Sequence, residues 1–156
     1  MMTARLYDVI LDTGNARAPS PELEQEQRVA VFDLLEENAF TLPDAPEGPY
    51  RLVLGRAGRK LDFQLSTQSG DSAAGFTLSL GPVRQIVKDY GQICESYFEA
   101  VRSKPPAEIE ALDEARRAIH LEGASALRET LTGKAEIDEP TARRLFTLVC
   151  ALLAGD

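Results

Sequence analysis

The chain has 156 residues, 44% of them apolar and 27% charged, a balance that fits one soluble globular domain with a sizeable core. Seventeen basic and 25 acidic side chains give a formal net charge of −8, which disfavours nucleic acid and anionic membranes as partners, and a single histidine excludes the usual multi-histidine zinc sites. No run approaches the ~20 apolar residues of a membrane helix, and the acids within the N-terminal MMTARLYDVILDT do not suit a secretory signal, so the cytoplasm is the expected location.

In chain order, Leu6–Leu11 (LYDVIL) reads as a strand. Ser20 as N-cap and Pro21 at the first helical position open a helix that runs to about Asn38, with Glu22, Glu24 and Glu26 at the positive end of its dipole. Its predicted buried side is Val31, Phe32, Leu34, Leu35 and Ala39. Thr41–Pro49 is a proline-rich loop. Three segments with period-two alternation follow, Tyr50–Gly55, Lys60–Ser66 and Gly75–Leu80, each with one apolar face. Short connections between them predict an antiparallel meander, with the first strand joined to one side.

At Gly81 the period changes to 3.6 residues. Across Gly81–Arg102, Val83, Ile86, Val87, Tyr90, Ile93, Cys94, Tyr97, Phe98 and Val101 share a face. Pro105-Pro106 separates this helix from a second, Ala107–Leu131, for which Gly133 is the natural stop. A third starts near Asp138–Pro140 and runs to the end. The whole predicts a single α+β domain over residues 1–156: an antiparallel meander sheet of about four strands, helices packed on one face, and a helical C-terminal half. Cys94 and Cys150 both fall on or beside apolar helix faces and read as buried, reduced thiols.

Chemistry concentrates on the second long helix. At about 100° per residue, Arg116 and His120 fall within its apolar stripe and Asp113 lies beside them. Polar groups on a core-facing stripe cost free energy unless paired. One reading is an anion site, with Arg116 as a bidentate clamp and His120 titrating near neutral pH or donating a hydrogen bond. The other is an internal network, an Asp113–Arg116 ion pair with His120 bonded to a backbone carbonyl or a tyrosine. Tyr90 and Tyr97 could reach the cluster through their hydroxyls, and Gly123 would let a neighbouring backbone or ligand come close. Arg117, Arg143 and Arg144 lie on outer faces as solvated cations, unless some converge on an anion. No phosphate loop, dinucleotide turn or nucleophile elbow occurs. No catalytic residue, metal site or cofactor is assigned.

The segments VFDLLEEN (Val31–Asn38), GPYRLVL (Gly48–Leu54), IVKDYGQICESYFEAVR (Ile86–Arg102), RRAIHLEG (Arg116–Gly123) and EIDEPTARRLFTLVC (Glu136–Cys150) resemble, in order and over essentially the whole chain, the bacterial uncharacterised protein family numbered 0262. The resemblance implies a small cytoplasmic bacterial protein and carries no activity or site residue with it. Two functions remain. The first is a non-enzymatic binding or regulatory protein acting as a homo-oligomer, most simply a dimer, because Leu148 and Ala151 extend apolar surface on the last helix beyond one stripe. The second is an enzyme or sensor for a small anionic metabolite, phosphorylated or carboxylated, at an Arg116/His120 pocket.

Overall fold

A computed structural model describes residues 3–14 and 20–154. The elements run β1 (Leu6–Leu11), α1 (Pro21–Glu36), β2 (Phe40–Thr41), β3 (Tyr50–Ala57), β4 (Lys60–Thr67), β5 (Ser72–Ser79), α2 (Gly81–Ser103), α3 (Pro106–Leu131), β6 (Glu136–Ile137) and α4 (Glu139–Leu153). The α+β class stands, with helices dominating the C-terminal half.

The main sheet has the order β1-β3-β4-β5 and is mixed, which corrects the expected antiparallel meander. Only β3, β4 and β5 meander; β1 lies parallel to β3. The reason is the connection. A parallel pair needs a long crossover, and α1 supplies one between β1 and β3. The register places Leu52 opposite Leu65, Leu54 opposite Phe63 and Leu61 opposite Leu78, so the apolar residues of each strand share the buried face. An irregularity between Leu6 and Asp8 lets Leu6 and Val9 both turn inward, while Asp8 pairs with Arg51 at 3.0 Å on the outer face. A second, two-stranded sheet of β2 and β6 forms where only loop was expected.

One side chain ties β1 to the end of α1. Asn38 is buried; its Oδ1 accepts from the Leu6 amide at 2.7 Å, and its Nδ2 donates to the carbonyls of Leu6 (2.9 Å) and Leu34 (2.7 Å). The amide occupies the outer edge of β1 as a neighbouring strand would. Arg5 and Arg144 donate to the Leu35 and Glu37 carbonyls, which satisfies more of the exposed end of α1. On α1 itself, Phe32 is 65% exposed, against expectation, and Ala30 and Leu34 take the inner face. Phe32 and Leu34 are two residues apart, about 200° around the helix, so they cannot share a face.

Helix α4 lies deepest. Asp138 caps it by accepting from the Thr141 amide at 3.0 Å, and Thr141, fully buried, accepts from the Ala39 amide at 3.0 Å. The helix packs against α1 and α3, and Leu148 is fully buried there. Leu148 is therefore used inside the subunit and no longer argues for a partner, while Ala151 stays partly exposed. One continuous core joins these helices to the inner face of the sheet.

Replacing Asn38 with alanine leaves the Leu6 amide and carbonyl unpaired in a buried position. The expected cost is about 3 kcal/mol in urea unfolding, with the denaturant slope unchanged. A loss below about 1 kcal/mol would mean that β1 does not depend on this amide.

Candidate functional site

Of the residues the helices bring together, Glu26, Tyr90, Arg116, His120 and Thr147 line one cleft, and Tyr97, Asp113 and Phe146 contact its lining residues. Tyr90 and Tyr97 come from α2, Asp113, Arg116 and His120 from α3, Phe146 and Thr147 from α4, and Glu26 from α1. Spacing explains the α3 contribution: residues three and four apart on a helix stack on one side. The Arg116 side chain at the cleft wall is 24% exposed and its partner Asp113 21%, so both are partly withdrawn from solvent.

The polar groups pair in three sets. Arg116 donates through Nη2 to Asp113 Oδ1 at 2.6 Å, and the exposed Arg117 reaches the other Asp113 oxygen at 2.8 Å. The Tyr90 hydroxyl donates to Glu26. His120 Nε2 meets the Thr147 hydroxyl at 2.8 Å, and that hydroxyl lies 3.3 Å from the Arg143 carbonyl. The Asp113–Arg116 pair matches the internal-network reading, whereas the partner of His120 is a threonine rather than a carbonyl or tyrosine. The tyrosines contact the α3 cluster with their rings. Tyr97 carries the Arg116 guanidinium 4.5 Å over its centroid, and Tyr90 lies 5.1 Å from the His120 ring.

Phe146 closes the arrangement from beneath. Its ring stands edge-on to His120 at 5.3 Å and to Tyr90 at 6.0 Å. The small residue that admits it is Gly123, where an added Cβ would overlap the Phe146 ring. The close approach foreseen at Gly123 is thus made by a side chain of the core, with no room left for a ligand.

Burial and charge set the protonation states. Burial, then the Arg143 and Arg116 charges, push His120 down to about 4, so the ring is neutral at pH 7. Burial, then Glu26, raises the Tyr90 phenol, which stays a donor. The Arg116 bond holds Asp113 below the usual carboxylate range, against a smaller opposing effect of burial and with help from Arg117. For Arg116, burial pulls downward, but the bond to Asp113 and the nearby Tyr90 and Glu26 outweigh it, and the guanidinium stays charged. Burial pushes the Cys94 thiol up to about 11 and Cys150 well above its ordinary value. Both thiols are unoxidised and protonated.

The cleft bounded by Arg116, Arg117, His120, Arg143 and Thr147 has a volume of about 400 Å³. Glu26 and Glu139 also reach it. Among the described residues, the Arg143 side chain has no hydrogen-bond or ion-pair partner, and Arg116 Nε is buried without one. Sequence reasoning passed over Glu26 and Thr147 as site residues, and offered Arg143 first as a solvated cation and otherwise as one of several arginines converging on an anion. Thr147 carried a signal, as a lone polar residue between Phe146 and Leu148, one turn after Arg143. Glu26 carried none, since its role depends on where α1 docks. Among the described residues, no three His, Cys, Asp or Glu side chains gather as a metal would require, and no helix is long and apolar enough to cross a membrane.

The helices α1 to α4 and the mixed sheet define an α+β protein with a polar cleft between the helices, lined by arginines and glutamates. The family model described as "Uncharacterised protein family (UPF0262)" matches residues 3–154, and the chain belongs to that family. It is 61% identical over 147 residues to a UPF0262 protein of Jannaschia sp. (strain CCS1), covering 93% of this chain and 94% of that one. It is 58% identical over 156 residues to a UPF0262 protein of Paracoccus denitrificans (strain Pd 1222), covering 97% and 96%. A UPF0262 protein of Ruegeria sp. (strain TM1040) is 55% identical over 157 residues, covering 97% and 99%. No solved structure matches the chain.

The lowered His120 pKa fixes a pH dependence. The fold favours the neutral ring, and the unfolded chain binds the proton at its ordinary pKa of 6.5. Stability from this group is therefore complete above about pH 6.5 and falls as pH drops toward 4, by up to about 3 kcal/mol. Because the chain has one histidine, its ring protons report alone in an NMR titration. The expected midpoint is near 4, and a His120→Gln variant should lose this part of the acid sensitivity. A midpoint near 6.5 would contradict the buried, cation-flanked ring.

Proposed function

We propose that the protein is a non-catalytic binding protein whose ligand is a small anion, a phosphate or carboxylate compound, held in the cleft between the helices. The observation that carries this reading is the Arg143 guanidinium, unpartnered among the described residues at the rim of a cleft that Arg116 and Arg117 also line. In a chain of net charge −8, three guanidiniums gather at one cleft, where Glu26, Glu139 and the paired Asp113 offset their charge and Arg143 is left to meet an anion. Planar guanidiniums suit paired oxygens, as carboxylate and phosphate present them. The Asp113 pair orients Arg116 and Arg117 rather than consuming them, because each guanidinium has five donors and spends one on an Asp113 oxygen.

Binding fits the histidine better than acid–base catalysis does. A catalytic base works best with a pKa near the operating pH. His120, pushed to about 4, is a weak base at pH 7 and has no proton charge to give. As a neutral ring bonded to Thr147 it ties α3 to α4 at the wall of the cleft.

Thermal unfolding with inorganic phosphate and a panel of small phosphorylated and carboxylated compounds tests the reading. A compound at about 100 times its dissociation constant adds about 2.7 kcal/mol to the native state. The expected result is a raised midpoint for wild type with at least one compound, and no rise for Arg143→Gln. That variant should fold normally, within about 0.5 kcal/mol of wild type, since the side chain it removes is exposed and has no partner among the described residues. An equal rise in the variant, or none in wild type across the panel, would sink the proposal.

A further inference from the structure

The two edges of the main sheet are treated differently. At the β1 edge the Asn38 amide bonds both backbone groups of Leu6, and β1 carries the charged Asp8 and an irregular register. At the β5 edge nothing comparable occurs. The eight residues SAAGFTLS contain no charge and no proline, the devices that usually blunt an edge. The Leu80 amide donates to the Arg59 carbonyl at 3.1 Å, so the residues bonded to β4 continue through Leu78 and Phe76. The alternation leaves the amides and carbonyls of Gly75, Thr77 and Ser79 pointing off the sheet. All three residues are exposed.

We infer that β5 pairs antiparallel with β5 of a second copy of this chain, about a twofold axis at Thr77, to form one continuous eight-stranded sheet. The edge is self-complementary about that axis. Thr77 faces Thr77, and Gly75 faces Ser79, so outward-pointing groups meet outward-pointing groups on both sides. Phe76, stacked on Phe63 at 5.0 Å and only partly buried, comes opposite Leu78 of the other copy on the inner face. Charge selects the same surface. Two copies of net charge −8 repel, and β5 is an uncharged stretch where their backbones can meet. This inference is independent of the anion cleft.

The experiment is sedimentation of the full chain across a concentration series, for wild type, Thr77→Lys, Thr77→Glu and Thr77→Pro. The Thr77 side chain is exposed and its amide is not used by β4, so all three variants keep the subunit's own hydrogen bonds; circular dichroism checks that each is folded. Wild type is expected to dimerise. Lysine or glutamate at position 77 sets like charges opposite each other and should weaken the dimer several-fold. Proline removes the central pair of hydrogen bonds and should leave monomer. Mixing the lysine and glutamate variants should restore association as a heterodimer. A wild type that stays monomeric overturns the inference and leaves the edge open to a strand of a different chain. A dimer unaffected by the three variants also overturns it, by placing the interface elsewhere.

Discussion

A side chain at position 123 would overlap the Phe146 ring, so α3 and α4 meet at a separation that only glycine allows. That contact fixes more than a helix pair. Phe146 also stands edge-on to His120 and Tyr90, and so sets how far the α3 imidazole and the α2 phenol reach toward α1. Tyr90 then meets Glu26 and His120 meets Thr147, which joins all four helices around one ring. Interiors packed to this density deform little, so the cleft above the ring inherits its geometry from the core beneath.

The electrostatics follow from the same packing. Burial, with the Arg143 and Arg116 guanidiniums nearby, keeps the His120 ring neutral at pH 7, and it behaves as a hydrogen-bonding group between the Tyr90 and Phe146 rings. Arg116 takes the opposite course: it is partly buried but keeps its charge, because Asp113 and the face of Tyr97 compensate it. The contrast separates positioned polar groups from the Arg143 guanidinium at the rim, unpartnered among the described residues, and it turns the proposed reading of the cleft from proton transfer toward recognition.

Much of this was legible in the residues. The period change at Gly81, the alternation of β3, β4 and β5, the stop at Gly133 and the capped start of α4 are local signals, and local physics decides them. The polar stripe of Asp113, Arg116 and His120 was visible because it interrupts an apolar face. Other features depend on docking, which no local pattern encodes. The parallel placement of β1 depends on where α1 crosses. The two-residue strands β2 and β6 are too short to show a period, and they exist because the segments after α1 and α3 are brought together. Leu148 looked like surplus surface on one helix until two neighbouring helices covered it. Arg143 read as a solvated cation unless several arginines converged, and only the position of α4 beside α3 brings it to the cleft with Arg116 and Arg117.

The central claim, that Phe146 in the gap at Gly123 sets the helical layer, is tested most directly by a double-mutant cycle in unfolding free energy. Gly123→Ala should cost about 3 kcal/mol through overpacking, and Phe146→Leu about 2 kcal/mol through lost packing. If the two residues occupy one shared volume, shortening the ring makes room for the added methyl. The double variant should then be more stable than the sum of the single losses allows, by about 1 kcal/mol or more. Losses that add to within about 0.5 kcal/mol would mean that the two positions act independently, and would contradict the claim.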